Sequence, residues 1–303
     1  MSEQVTAPVP FETGDIFMAA TDLDDSNIDF RNLKGNGRIL HFDANFHRKA
    51  ELWTGHEGLT VNLAVDPSSG ILYTVDPTGR HVVPFAPDGT RLPEIDWLPN
   101  RPLSAMMFLG DGRGYVGVHS FRGAVPDDQF GASKFFAFNT ADQAVEALDM
   151  EVDGGHVGWL GVNYIALAAD GKTLYSAAEG GHRILRYDLE TRQHLADYLV
   201  YDTENADRTF GFGFLADGGL ALVTGNSLVL RNADGTERLR KVLGEKGWTR
   251  VILARDGETL FVINFLEGRL QRRKIADGSV LFEYDLGLKC SMCGLVEYVL
   301  PQT

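Results

Sequence analysis

The chain has 303 residues, 44% hydrophobic and 23% charged, ample length to bury one large core or two small ones. Its two cysteines exclude a disulfide scaffold, no apolar run approaches the roughly 20 residues of a membrane helix, and the polar stretch from Met1 to Thr13 has no secretory h-region. With 28 Lys and Arg against 42 Asp and Glu, the net charge of −14 argues against nucleic acid or membrane as the main partner; an acidic, soluble, cytoplasmic protein is expected.

From the N-terminus onward the chain repeats one unit. Gly14-Asp-Ile-Phe-Met opens the first, followed by Arg38-Ile-Leu-His-Phe, the turn Asp43-Ala-Asn and an apolar stretch at 49–53. The second unit begins Leu63-Ala-Val-Asp-Pro-Ser-Ser-Gly-Ile-Leu-Tyr73 and continues with His81-Val-Val-Pro-Phe, Pro87-Asp-Gly and 92–97. That opening frame, a short apolar strand, a Gly-bearing turn and a second strand, fits again without gaps at 106–116, 165–175, 212–222 and 251–261. Tight turns favour Asp-Gly because Gly takes positive φ at little cost. Third strands follow as Lys134-Phe-Phe-Ala-Phe, Arg183-Ile-Leu-Arg-Tyr, Ser227-Leu-Val-Leu-Arg and Arg269-Leu-Gln-Arg-Arg. Fourth strands are expected near 145–150, 195–201, 239–243 and 280–284.

Four short strands per unit, a period of roughly 40–60 residues and almost no helical periodicity predict an all-β fold, a six-bladed β-propeller. The last piece, Cys293-Gly-Leu-Val-Glu-Tyr-Val-Leu300, has no turn after it, and the first unit lacks an innermost strand. The C-terminal strand is therefore expected to complete blade 1 and close the ring. The blades of this single domain fall at about 14–54 plus 293–300, 55–98, 99–151, 152–202, 203–244 and 245–286.

The stretch Asn163-Tyr-Ile-Ala-Leu-Ala-Ala-Asp-Gly-Lys-Thr-Leu-Tyr175 resembles the Asn-Gly-Leu-Ala-x-Ser-Pro-Asp-Gly-Lys-Thr-Leu-Tyr motif of the SMP-30/gluconolactonase/luciferin-regenerating family. NHL and strictosidine-synthase-like propellers share similar frames. The resemblance implies a divalent cation, usually calcium, on the propeller axis, with Asn163 matching the family's asparagine ligand. In the other blades the same frame gives Val61, Ser104, Phe210, Thr249 and Cys293. The family has a Glu and an Asp at two of these positions and this chain has neither, so the family's metal site is expected to be absent or rebuilt.

Propellers place ligand sites at one mouth of the central channel, lined by the loops entering each innermost strand and by those between second and third strands. The entering loops carry His56, Glu57, Arg101, Ser104, His156, Trp159, Arg208, Trp248, Arg250, Lys289, Cys290 and Cys293. The second set carries Asp22, Asp24, Asp25, His81, His119, Glu179, His182 and Glu267. Imidazole ligates transition metals and moves protons near neutral pH. Of these residues, His156, His56, Glu57, Arg101, Arg208 and Arg250 are the candidates for catalysis. Asn163, Ser104, His119, Trp159, His182 and Trp248 are the candidates for substrate binding. A metal would draw on His56, His156, Asn163, Cys290 and Cys293, the last two being either a Cys-x-x-C ligand pair or two unpaired thiols packed where the ring closes. Two long loops stand out: the acidic 22–29, which lacks the Gly and Glu of an EF-hand, and 120–132, an expected lid or interface arm.

No nucleotide-binding or serine-nucleophile signature is present. The expected function is an enzyme acting on a small, acidic metabolite in the channel, a lactonase-like hydrolase or a related lyase or isomerase, with a divalent metal as a possible aid. The alternatives are a non-catalytic small-molecule or protein-binding propeller, and a metal-free strictosidine-synthase-like condensing enzyme using Glu57.

Overall fold

Each sequence repeat becomes one antiparallel sheet in the computed structural model, which describes residues 7–24, 26, 28, 33–119, 126–152, 161–201 and 208–301. Blade 1 contains β1 (Ile16–Ala20), β2 (Gly35–Phe42) and β3 (Arg48–Gly58); blade 2 contains β4 (Asn62–Val65), β5 (Leu72–Asp76) and β6 (His81–Phe85). Blade 3 contains β7 (Leu103–Phe108), β8 (Arg113–Val118), β9 (Phe135–Asn139) and β10 (Val145–Ala147). Blade 4 follows with β11 (Tyr164–Leu167), β12 (Thr173–Ala177), β13 (Arg183–Asp188) and β14 (Gln193–Val200). Blade 5 has β15 (Phe212–Phe214), β16 (Leu220–Val223), β17 (Ser227–Arg231) and β18 (Glu237–Val242). Blade 6 has β19 (Trp248–Leu253), β20 (Thr259–Asn264), β21 (Arg269–Lys274) and β22 (Val280–Asp285), and β23 (Met292–Glu297) then returns to blade 1.

The sheet order β23-β1-β2-β3 makes the C-terminal strand the innermost strand of blade 1, as the unpaired repeat required. Contacts between β23, β4, β7, β11, β15 and β19 run in that order and return to β23, so the six innermost strands ring a common axis. Among the described residues no helix is long and apolar enough to cross a membrane.

The alternation of side chains explains why the inner strands read as unbroken apolar runs. Successive residues of a strand point to opposite faces, and both faces of a blade are covered by its neighbours. Ile16 and Met18 of β1 pack with Phe261 and Ile263 of blade 6. Phe17 and Ala19 pack with Leu63 and Leu72 of blade 2. The same division gives one apolar cluster between each adjacent pair of blades. Full burial of a Phe, Leu or Ile stabilises by about 1.5–3 kcal/mol, so these seams hold the ring.

Blade 2 departs from the expectation of four strands. Residues 92–97 form no ladder, and the sheet stops at β6. Leu92 N donates to Pro84 O at 2.9 Å and Ile95 N to Val82 O at 3.0 Å. Pro93, between these two donors, has no N–H to continue the pairing.

Ring closure is reinforced by polar groups. Buried His41 of β2 stacks on Phe17, ring centroids 4.4 Å apart, and its Nε2 lies 2.6 Å from Asp15 Oδ2, which Lys49 Nζ also approaches at 2.9 Å. Tyr298, just beyond β23, is fully buried and donates its hydroxyl to Gly70 O of blade 2 at 2.9 Å. Tyr298→Phe leaves that buried carbonyl without its donor, and should cost about 1–3 kcal/mol. Urea denaturation should show a lower midpoint at unchanged slope; an unchanged midpoint would mean that the bond adds nothing to closure.

Candidate functional site

Three innermost strands carry a β-bulge at the axial frame position. Leu103 pairs with Val118 but Ala105 with Gly117, which leaves Ser104 as the extra residue. In β19, Trp248 pairs with Asn264 and Arg250 with Ile263, so Thr249 is the extra residue; in β23 it is Cys293. A bulge re-aims the side chains that follow it. In an even strand Trp248 and Arg250 would share a face. Here Trp248 is fully buried in the seam between blades 5 and 6, whereas Arg250 turns toward the axis.

Arg250 spans the innermost strands of its neighbours. Its Nε donates to Cys293 O of blade 1 at 3.0 Å and one Nη to Val61 O of blade 2 at 3.2 Å. The guanidinium carbon lies 4.7 Å from the ring centre of Tyr164 in blade 4, a cation–π contact. Val61 and Cys293 are two of the frame positions at which the family resemblance implies calcium ligands. Their carbonyls are bonded to a permanent cation, and the frame residues Val61, Ser104, Asn163, Phe210, Thr249 and Cys293 include no carboxylate. Calcium takes six to eight oxygens, carboxylates among them, so this donor set does not fit the ion.

Blade 4 supplies the opposite charge. Buried Asn163, just before β11, accepts the Glu179 N–H at 2.9 Å through Oδ1, which fixes its amide so that Nδ2 faces His119 Nδ1. An amide nitrogen only donates, so His119 Nδ1 must accept and the ring is neutral. Burial, aided by the positive charge of Arg250, pushes the His119 imidazole down to about 4. Gly161 permits this contact between blades, because a Cβ there would lie 1.8 Å from the His119 carbonyl oxygen.

Glu179 follows β12. It is half-buried, and its carboxylate lies within electrostatic reach of Arg250. Among the described residues its oxygens have no hydrogen-bond donor and no ion pair within 4 Å. Burial raises its pKa above the ordinary carboxylate value, and Arg250 opposes the rise only in part. A buried carboxyl with a raised pKa beside a fixed cation and a neutral imidazole is a candidate to take up and release a proton. Sequence reasoning placed Glu179 on this face without singling it out; nothing linear distinguishes it from Glu57 or Glu267.

Other expected residues lie elsewhere. His56 sits at the end of β3, stacked on His81 with centroids 3.8 Å apart, and among the described residues shares no ligand cluster with the cysteines. Glu57 is exposed on β3. Arg101 is 2% exposed and held through its two Nη groups: it pairs with Asp128 at 2.7 Å, donates to the carbonyls of Gly131 and Ser133, and lies over Phe136, while its buried Nε has no hydrogen-bond partner among the described residues. It therefore anchors the described part of the long blade 3 loop rather than facing a substrate. Trp248, fully buried in the core, cannot reach one either. Ser104 Oγ donates to Val162 O at 3.0 Å and ties blade 3 to blade 4.

Cys290 and Cys293 are both free and buried where the ring closes. Burial pushes the Cys290 thiol up to about 11 and the Cys293 thiol higher still, so burial favours the protonated thiol at both positions. His182 and Arg208 are half-buried at the heads of β13 and β15. His156 and Trp159, like Asp25, Ser120, Phe121 and Arg122, lie outside the described residues.

The coupling between Arg250 and His119 is measurable. A depressed imidazole pKa contributes stability that is present above the unfolded value of 6.5 and lost as pH falls toward 4. NMR titration should find His119 near 4 in the wild type and higher in Arg250→Met, with a shallower loss of stability between pH 6.5 and 4 in that variant. An unmoved His119 would show that the guanidinium charge does not reach it.

No family model and no curated protein sequence matches the chain, the SMP-30/gluconolactonase family included. Solved structures do. The chain is similar to a chain of the "Nidogen/Laminin Complex" crystal structure at TM-score 0.65 and 13% identity, covering 95% of this chain and 100% of that one. It is also similar to the extracellular domain of the putative one-component system BT4673 from B. thetaiotaomicron, at TM-score 0.54 and 12% identity over 78% of this chain and 31% of that one. At such identities the likeness is one of architecture, and it agrees with the sheet topology: the chain is a six-bladed β-propeller.

Proposed function

We propose that the protein is an enzyme acting on a small, acidic organic metabolite in the propeller's central channel, with the chemistry of a lactonase-like hydrolase or a related lyase or isomerase. The observation that carries this reading is Glu179, a carboxylate near Arg250 without a hydrogen-bond donor among the described residues and with a raised pKa. A buried group left so costs stability, and such strain concentrates at functional sites.

In this reading Glu179 is the general base and acid. For a lactone, its carboxylate takes a proton from water as the water oxygen attacks the ring carbonyl, and returns that proton to the departing alkoxide. Arg250 is the electrophilic partner. Two of its five N–H donors are committed to the Cys293 and Val61 carbonyls, which leaves the others for a substrate carboxylate or the developing oxyanion. Neutral His119 and Asn163 are positioning residues, since Asn163 holds both the imidazole and the backbone of Glu179. The condensing-enzyme alternative needs a channel carboxylate, and Glu179 rather than exposed Glu57 has that environment.

Glu179→Gln separates these roles. A raised carboxyl pKa contributes stability that is present below the unfolded value of 4.5 and lost as pH rises through the folded value, so the charged group is a burden at neutral pH. The variant should be more stable than the wild type at pH 8 by about 1 kcal/mol or more, and no more stable at pH 4. Turnover of lactones and esters of hydroxy acids by the wild type should fall by about 10²–10⁴-fold in the variant. Unchanged turnover overturns the assignment; carboxylic acids that bind the wild type without any turnover would favour a non-catalytic receptor.

A further inference from the structure

A second constellation lies apart from the channel centre, at the junction of blades 1 and 2. His56 Nε2 is 3.0 Å from Glu94 Oε2, and His81 Nδ1 is 2.6 Å from Glu94 Oε1. Among the described residues this is the one group of three His, Cys, Asp or Glu side chains whose ligand atoms all lie within 4.8 Å of one another. All three side chains are a quarter to a third exposed, so an ion can reach them from solvent.

The surrounding backbone is built to hold these donors. Asp76 Oδ1 accepts the N–H groups of Leu59, Thr78 and Gly79 at 2.8–3.0 Å, locking the chain after His56 and the turn before His81. Gly58 is required there, because a Cβ would lie 1.5 Å from Asp76 Oδ2. Glu94 arrives because Pro93 stops residues 92–97 from forming an outer strand, which brings the segment back over the start of β6.

The two neighbours of His56 Nε2 make opposite demands on it. Exposed Arg91 places an Nη 3.0 Å from His56 Nε2. A guanidinium only donates and a carboxylate only accepts, so Nε2 serves Arg91 when unprotonated and Glu94 Oε2 when protonated, and cannot serve both at once. In the unprotonated state the Nε2 lone pair and Glu94 Oε2 are two acceptors 3.0 Å apart, which a bound cation stabilises, while Arg91 approaches Nε2 from a side chain exposed to solvent. We infer that His56, His81 and Glu94 form a divalent transition-metal site, suited to zinc, in which the ion displaces Arg91 and ties the outer edge of blade 1 to blade 2.

Two imidazoles and one carboxylate are the donor set of open tetrahedral zinc sites, which leave the fourth position to water. Bonds of about 2.0–2.1 Å to zinc put neighbouring ligand atoms about 3.3 Å apart, so an ion would have to open the present 2.6 and 3.0 Å contacts to Glu94. The imidazole planes are only 12° from parallel, so binding must also turn one ring out of the stack.

Cobalt(II) is the probe for uptake, followed by visible absorption, with zinc titrated calorimetrically into the full chain. The wild type should bind one equivalent, with tetrahedral Co(II) bands and a raised melting temperature. His81→Ala and Glu94→Gln should each weaken binding by about 100-fold or more, since even outer partners of metal ligands are worth about 10–100-fold. Arg91→Met should tighten it, because the competing cation is gone. Near-UV circular dichroism matching the wild type shows that each variant is folded. No uptake by the wild type, uptake equal in Glu94→Gln and the wild type, or an affinity untouched by Arg91→Met each overturns the site.

Discussion

No blade of this protein can stand alone, because each is apolar on both faces. Ile16 and Phe17, adjacent in one strand, belong to different seams, and the same is true around the ring. A stack of such sheets with two open ends would leave two faces wet, so the seams are satisfied together only when the last blade meets the first. β23 paired with β1 meets that condition, backed by the buried Tyr298 hydroxyl and the His41–Asp15 contact. Closure also fixes the height of every innermost strand relative to its neighbours, and that register makes contacts across the axis reproducible.

The channel chemistry follows from departures inside this regular frame. Bulges at Ser104, Thr249 and Cys293 interrupt the alternation that the seams impose elsewhere. The one at Thr249 separates Trp248, which serves the seam, from Arg250, which serves the axis. Blade 4 answers with Asn163, whose amide is read from both sides: its oxygen takes a backbone N–H and its nitrogen faces His119. The result is one permanent positive charge, one carboxyl whose ionisation is opposed, and one imidazole kept neutral.

The fold was legible because its signal is local and repeated. Asp-Gly turns and apolar pairs recur in a fixed frame, and the orphan strand after Cys293 could belong only to the unit that lacked one. The missing outer strand of blade 2 was hidden by apolar Leu92, Ile95 and Trp97, whose pattern outweighed the single proline at 93. The site was less legible. Arg250 and Asn163 were visible as loop-entry polar residues, but Trp248 and Arg101 looked equivalent to them, and only burial tells these apart. The importance of Glu179 is a property of its surroundings, with no trace in the letters beside it. His56 was visible as a histidine at a mouth, yet its neighbours His81 and Glu94 lie far along the chain and come together only through two pinned turns and a proline.

The cation on the axis is part of the polypeptide. An ion held by carbonyls would be subject to mass action, lost to chelators and replaceable by whichever metal the surroundings offer. The guanidinium of Arg250 is delivered at full occupancy with every copy that folds, at one fixed valence. What the channel gives up is adjustability: its central charge cannot be loaded, withheld or exchanged, and changes only when the gene does.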